Sequence, residues 1–327
     1  MTLPAPSPLS AWFLRTAGDL IARCRRRPSL FVVNYHRILA QPDPMLDIEP
    51  DVATFRWQMK LLAECFNVLP LAEALRLLDA GRLPPRAVCI TFDDGYRSVH
   101  DLALPVLKEF GLPATIFVTS GYLGEQRMWN DRIIDAVQTM PAGELDLSEL
   151  GLGAYSLNTI DDRRSTAGIL TEASKYLPPA SRSGVVTRLE ALVGDALPHG
   201  LMLTPDMVVA LDRAGVEIGA HTVTHPILTS LDDAEARTEI AGGKQQLEDL
   251  LGKPVRFFAY PNGKVDKDFN AAHVRMVRES GFEAAFTTAI GPITAHADRF
   301  QLPRSRPWDR TPLRFGLRLL SWLARQA

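Results

Sequence analysis

Cys89-Ile90-Thr91-Phe92-Asp93-Asp94-Gly95-Tyr96 decides the fold: a β-branched, apolar run ends abruptly on two adjacent carboxylates and a glycine. A strand covered on both faces, as in a parallel sheet flanked by helices, reads as a continuous hydrophobic run. Neighbouring aspartates repel, so a chain keeps both at a strand end when a cation sits there or when their protonation tasks differ. Taken alone, the pair reads equally well as a polar turn capping a helix near Val99–Gly111.

Far downstream, Gly215-Val216-Glu217-Ile218-Gly219-Ala220-His221-Thr222-Val223-Thr224-His225-Pro226 repeats the design, a short apolar strand running into histidines spaced i, i+4. Imidazoles at that spacing converge on one metal if the backbone turns helically. Structural histidines in a capping turn are the alternative. The zinc-protease pattern needs a Glu directly after the first His, and Thr222 stands there. Two His and one Asp leave coordination positions open, as a catalytic metal requires.

Working outward, strands are expected at Leu30–Tyr35, Ala87–Phe92, Ala114–Thr119, Val216–Ala220, Arg256–Tyr260 and Glu283–Thr288. Helical patterns fall between them at Phe55–Glu64, Leu71–Ala80, Val99–Phe110, Pro205–Ala214, Asp232–Leu251 and Asp268–Ser280, with a glycine stop after most. This rhythm predicts parallel βα units, whose reactive residues gather where strands end. From about 126 to 200 the rhythm breaks. A small hairpin (Leu145–Ser148 with Ala154–Leu157) and helical pieces at Thr166–Tyr176 and Val185–Leu192 suggest an insertion acting as lid or substrate wall.

The 327 residues are 46% hydrophobic and 23% charged, ordinary for a globular chain, and the net charge of −2 offers no footprint for a polyanion. The basic cluster Arg23-Cys24-Arg25-Arg26-Arg27 is too local to change that, so no nucleic-acid partner is expected. Cys24, Cys65 and Cys89 form no metal-type pair, which fits a reduced setting. With Pro4, Pro6 and Pro8 at the start and Ala11–Leu14 as its longest apolar run, the N-terminus carries neither a secretory core nor a spanning helix. The expectation is a cytoplasmic protein.

Both ends are amphipathic. Leu9, Trp12, Phe13, Ala17, Leu20 and Ile21 oppose Arg15 and Arg23, while Leu313, Phe315, Leu317, Leu319, Leu320, Trp322 and Leu323 alternate with Arg314, Arg318 and Arg325. Such helices either pack on the body of the domain or lie on an anionic inner-membrane surface. The chain thus divides into an N-terminal amphipathic segment (1–29), a main domain (30–305) with its insertion, and a C-terminal amphipathic helix (306–327).

Thr91-Phe92-Asp93-Asp94-Gly95 and His221-Thr222-Val223-Thr224-His225 resemble the first two motifs of the polysaccharide deacetylase family of carbohydrate esterases. Phe258-Ala259-Tyr260-Pro261-Asn262-Gly263 resembles a variant of its third. The resemblance implies a distorted (β/α) barrel of about seven strands. It also implies Asp93 as general base, with Asp94, His221 and His225 holding a divalent metal, zinc first and cobalt, nickel or iron as alternatives. The family's third-motif arginine is absent locally, and Arg304 is the expected substitute for orienting Asp93. Asn262 fills the position whose backbone N–H helps hold the oxyanion, a role independent of side chain. The late leucine–histidine motif is missing too. Val32-Val33-Asn34-Tyr35-His36-Arg37-Ile38 instead resembles the permuted arrangement of poly-N-acetylglucosamine deacetylases, which implies His36 as the acid. His100, His199, His273 and His296 receive no role. The implied reaction is removal of N-acetyl groups from a polysaccharide or lipid-linked N-acetylhexosamine glycan. Deformylation or O-deacetylation by the same chemistry, or a non-catalytic carbohydrate-binding homologue, are the alternatives.

Overall fold

A computed structural model describes residues 8–24, 29–124, 127–194, 200–307 and 309–324. Pro4, Pro6, Arg25, Arg26, Arg27, His199 and Arg325 lie outside the described residues, as do the side chains of Leu9, Arg23 and Cys24.

Strands β1 (Leu30–Tyr35), β2 (Asn67–Val68), β3 (Ala87–Phe92) and β4 (Thr115–Val118) come from the first part of the chain. Helix α1 (Pro8–Cys24) precedes them, and α2 (Val52–Cys65), α3 (Leu71–Asp79) and α4 (Leu104–Phe110) lie between them. An inserted layer follows: α5 (Trp129–Thr139), the antiparallel hairpin β5 (Glu144–Asp146) and β6 (Ala154–Ser156), α6 (Ile160–Lys175) and α7 (Pro179–Ala191). Alternation then resumes with α8 (Pro205–Arg213), β7 (Glu217–Ala220), α9 (Asp233–Leu251), β8 (Phe257–Ala259), α10 (Ala271–Glu279), β9 (Ala284–Phe286) and α11 (Pro312–Ala324).

The sheet is wholly parallel, in the order β1-β3-β4-β7-β8-β9, with β2 paired to β3 as a seventh strand. It curls until its ends are bridged. Leu302 pairs with Phe286 of β9 and Ser305 with Val33 of β1, both in parallel sense, so residues 302–305 fill the gap. Hydrogen bonds from Thr287 N–H to Leu302 C=O (2.8 Å) and from Asn34 N–H to Ser305 C=O (3.0 Å) stitch this closure. The result is the distorted (β/α) barrel that the family resemblance implies.

Strand alternation sorts the residues into two layers. Phe31, Val33, Tyr35, Val88, Ile90 and Phe92 face the outer helices in the larger core. Leu30, Val32, Ala87, Cys89, Phe117, Phe257, Ala259, Ala284 and Phe286 fill the barrel interior with Leu71, Ala74, Leu75 and Leu78 of α3. Gly219 is a glycine because an added Cβ would sit 2.5 Å from the Phe117 ring. The inward series on β1 and β3 continue upward as Asn34 and His36, and as Thr91 and Asp93. This register delivers the polar groups to the strand ends.

The insertion has its own core, in which Trp129, Ile133, Ala136, Val137, Leu145, Leu157, Leu170, Val186 and Leu189 pack together with Met45 from the loop after β1. The reading of 126–200 missed α5. Other differences are local. Residues Val99–Ala103 are π-wound before α4, with Leu104 N–H bonded to Val99 C=O, because Pro105 cannot donate to the carbonyl four residues back. The helix expected from Asp268 starts at Ala271, where Asn270 caps it.

Candidate metal centre and catalytic cleft

The acidic and imidazole groups of the site gather where strands stop. Asp93 and Asp94 follow β3, His221 follows β7, and His36 follows β1. A cleft of about 810 Å³ at this end is lined by His36, Asp93, Asp94, His221, His225, Asn262 and Arg304, among others. It therefore brings together every residue assigned a role from the sequence.

Asp94, His221 and His225 offer ligand atoms that all lie within 4.8 Å of one another. Asp94 Oδ1 is 3.4 Å from both imidazole Nε2 atoms, buried, and without a hydrogen-bond partner. His221 Nδ1 lies 2.7 Å from the Ala259 carbonyl, which can only accept, so that nitrogen carries a proton, and in the neutral imidazole the lone pair is on Nε2, facing Asp94. Burial pushes the His225 imidazole down to about 3, which keeps it neutral and able to ligate. An orphaned carboxylate oxygen facing two imidazoles fits a divalent metal.

The backbone here is strained. Asp94 (φ 75°), Thr222 (φ 64°), His225 (φ 54°) and Asn262 (φ 56°) are four of the few non-glycine residues with positive φ. For β-branched Thr222 this is a genuine outlier, costing about 1–3 kcal/mol unless its surroundings over-determine it. They do. Glu239 of α9 accepts from Val223 N–H and Thr224 N–H, each at 2.8 Å, and from Thr224 Oγ1 at 2.6 Å. Thr222 Oγ1 accepts from His225 N–H at 3.1 Å. Gly243 lets α9 press close, since a Cβ there would lie 2.9 Å from the Thr222 carbonyl carbon.

Asp93 is held differently. Arg304, 1% exposed, rises from the closing segment and donates from Nη1 to Asp93 Oδ1 (2.7 Å) and from Nη2 to Oδ2 (2.8 Å). Asn34 Nδ2 donates to the same Oδ2 at 2.9 Å, while Thr91 Oγ1 and Arg304 Nη1 both donate to Asn34 Oδ1 (3.1 Å each). Burial alone would raise the Asp93 carboxyl. The charges of Arg304 and then His221 outweigh it, and the group is held below the ordinary carboxylate range.

His36 stands on the same cleft with its Nδ1 buried and unpartnered. Burial first, then Arg306, lowers its pKa, against the pull of Asp94, Glu49 and Asp93, so the resting imidazole leans to its neutral form. Asn262 is fixed by Thr288, whose Oγ1 donates to the Asn262 carbonyl at 2.6 Å, and its own N–H takes no acceptor among the described residues. Elsewhere, His100 pairs with Asp101, and His273 sits in the capping turn of α10.

Three groups escaped the sequence reading: Asn34, Glu239, and the buried Asp131 of α5. Asp131 accepts from Tyr96 Oη (3.0 Å) and faces Arg37 Nη1 (3.4 Å), whose guanidinium lies over the Tyr96 ring. The insertion is thereby tied to the residues beside His36 and Gly95. Its α6 also walls the cleft with Arg164, Ala167, Gly168, Thr171 and Glu172.

The sequence profile described as polysaccharide deacetylase matches residues 80–284. Poly-beta-1,6-N-acetyl-D-glucosamine N-deacetylase from Staphylococcus epidermidis (strain RP62A) is 26% identical over 290 residues, covering 84% of this chain and 78% of that protein. The protein of the same name from Staphylococcus aureus (strain N315) is 26% identical over 206 residues, covering 60% of this chain and 68% of its own. Among solved structures, the Streptococcus pyogenes deacetylase PplD, determined with acetate, superposes with a TM-score of 0.60 at 19% identity, covering 90% of this chain and 99% of that one. IcaB from Ammonifex degensii gives 0.58 at 20% identity, covering 91% and 97%. At such identities the structural likeness speaks for the fold.

Proposed function

The chain belongs to the polysaccharide deacetylase family, and from that premise we propose that it hydrolyses N-acetyl groups on N-acetylhexosamine units of a polysaccharide or lipid-linked glycan. One observation carries the reading: a carboxylate that ligates nothing, Asp93, is locked by a buried arginine beside a carboxylate and two imidazoles poised for a metal. A scaffold has no physical need for such a pair. Burying the two charges costs several kcal/mol each before their attraction offsets it.

Asp94, His221 and His225 would hold the ion, zinc first, with cobalt, nickel or iron as alternatives, since this donor set separates them weakly. When bound, a divalent metal supplies Lewis-acid polarisation of the acyl carbonyl and a lowered pKa for water. Asp93 takes the proton of the attacking water. Arg304 and Asn34 aim its carboxylate and keep it ionised until that moment. The Asn262 N–H donates to the oxygen that gains charge in the tetrahedral intermediate. His36 returns a proton to the departing sugar nitrogen, so that acetate and a free amine result, and general acid–base steps of this kind contribute roughly 10²- to 10⁴-fold each.

The relatives named as poly-beta-1,6-N-acetyl-D-glucosamine N-deacetylases support an N-acetylated amino sugar as substrate. Mass spectrometry of products from matched N-acetyl, N-formyl and O-acetyl amino sugars tests this, using metal-loaded protein. Loss of acetyl from nitrogen is expected to dominate. Preferred loss of formyl, or of acetyl from oxygen, would reassign the substrate, and no release at all would make the chain a binding protein.

A further inference from the structure

We propose that the paired terminal helices α1 and α11 form a docking face for an anionic phospholipid surface. The two helices pack tightly: an added Cβ on Gly316 would lie 2.5 Å from Leu14 Cδ1. Their inner faces are spent on the core, through Ala11 and Leu14 of α1 and Phe315, Leu319, Trp322 and Leu323 of α11. Trp322 stacks on Phe31 of β1 at 4.5 Å between ring centroids. This packing fixes what points outward.

What points outward is apolar. Trp12 is 61% exposed, Phe13 49% and Leu20 62% on α1, with Leu313 at 50% and Leu317 at 43% on α11. Among the described residues, these account for five of the twelve large hydrophobic side chains left exposed, on two helices that touch. Soluble surfaces scatter such residues singly, and a concentration marks a place where something sits.

Charge identifies the occupant. Arg15 and Arg314 are exposed on these helices and make no ion pair among the described residues. The described length of α11 carries no acidic residue, and Asp19 of α1 is taken up by Arg86 Nε at 2.7 Å. Aromatic and aliphatic side chains beside unpaired arginines match a bilayer interface with anionic headgroups. A second copy docking through the same face would bring four unpaired arginines into one interface, with no acidic side chain of α11 to offset them. No helix among the described residues is long and apolar enough to cross a membrane, so the contact is interfacial. On its other side α11 reaches the cleft, where Arg318 and Trp322 are among the lining residues.

Flotation of the full chain with vesicles tests this without reference to activity. Protein should float with phosphatidylcholine vesicles containing about 30% phosphatidylglycerol, stay behind with phosphatidylcholine alone, and be released by about 1 M salt, where the Debye length is about 3 Å. Trp12→Ser/Leu317→Ser should keep its thermal midpoint, since both side chains are exposed, and lose flotation at least about tenfold. Arg15→Gln/Arg314→Gln should weaken it by roughly 25-fold, at about fivefold per arginine. Absence of flotation at low salt, or flotation of both double variants at the wild-type level, would overturn the proposal. So would a wild-type dimer that Trp12→Ser/Leu317→Ser turns into monomer, which would give the face to a second copy.

Discussion

Asp93 keeps its charge because Arg304 reaches it from the far end of the chain with a two-pronged bond that also engages Asn34. Removing Arg304 leaves a buried carboxylate with one remaining donor. Arg304→Ala should therefore cost about 3–5 kcal/mol of stability in urea unfolding, and a cost under 1 kcal/mol would mean that the pair is dispensable. His36 gives a pH signature. Burial and Arg306 hold its pKa below the ordinary 6.5, so the protonated acid is a minor form at neutral pH. If it supplies the proton, kcat/KM falls on the alkaline side with an apparent pKa below 6.5, while Asp93, held low, keeps its charge further into acid. His36→Gln should abolish that alkaline limb; an unchanged profile would remove His36 from the chemistry. The aspartates and the two histidines were legible in the sequence because charge and imidazole end apolar runs. Asn34 was not, since one polar residue inside the all-buried strand Leu30–Tyr35 declares itself only when the pairing with Thr91 is known.

At the scale of elements, α9 braces the loop that carries His221 and His225 through Glu239, which takes two backbone donors and one hydroxyl from a segment strained at Thr222 and His225. Nothing in the linear pattern of α9 marks Glu239 apart from its other acids, because the contact is tertiary. Glu239→Ala should weaken zinc binding by roughly 10–100-fold, as loss of such supporting groups does, with Glu239→Gln restoring part of it by keeping one acceptor oxygen. Competition with a chromogenic chelator reads both, and equal affinities for all three proteins would reduce Glu239 to a surface residue. The wall from α6 makes a second case. Gly168 sits mid-helix, where glycine costs about 1 kcal/mol against alanine, yet an added Cβ would meet nothing within 4 Å. The space it leaves belongs to the cleft. Gly168→Trp should fold at least as stably and raise KM for an oligosaccharide by about tenfold, equivalent to 1.4 kcal/mol of lost binding, while a single-sugar substrate is barely affected. Equal effects on both would show that α6 does not touch the longer chain. The insertion's hairpin was legible from alternation, whereas α5 was hidden because its apolar face packs on the insertion's own small core and no glycine stop follows it.

Over the whole molecule, the barrel gathers at one rim what the chain scatters: β1 gives His36 and Asn34, β3 the aspartates, β7 the imidazoles, and the closing segment 302–305 the arginine. The βα rhythm foretold parallel strand–helix units, since every long strand and most helix ends carried local signals, while the barrel followed from the family resemblance and the two-residue β2 had no signal of its own. Closure through 302–305 had no such signal, because this segment is held by hydrogen bonds to β9 and β1 rather than by its own apolar pattern. Division of labour between adjacent carboxylates, one for metal and one for protons, is the claim on which the mechanism stands. The most direct test is acetate release from N-acetylglucosamine oligomers by wild-type and Asp93→Asn protein, with bound metal measured in the same samples. Equal metal in both, one ion per chain, with release in Asp93→Asn lowered by at least about 10²-fold, is the expected result. Comparable release by Asp93→Asn, or loss of its metal, would contradict it.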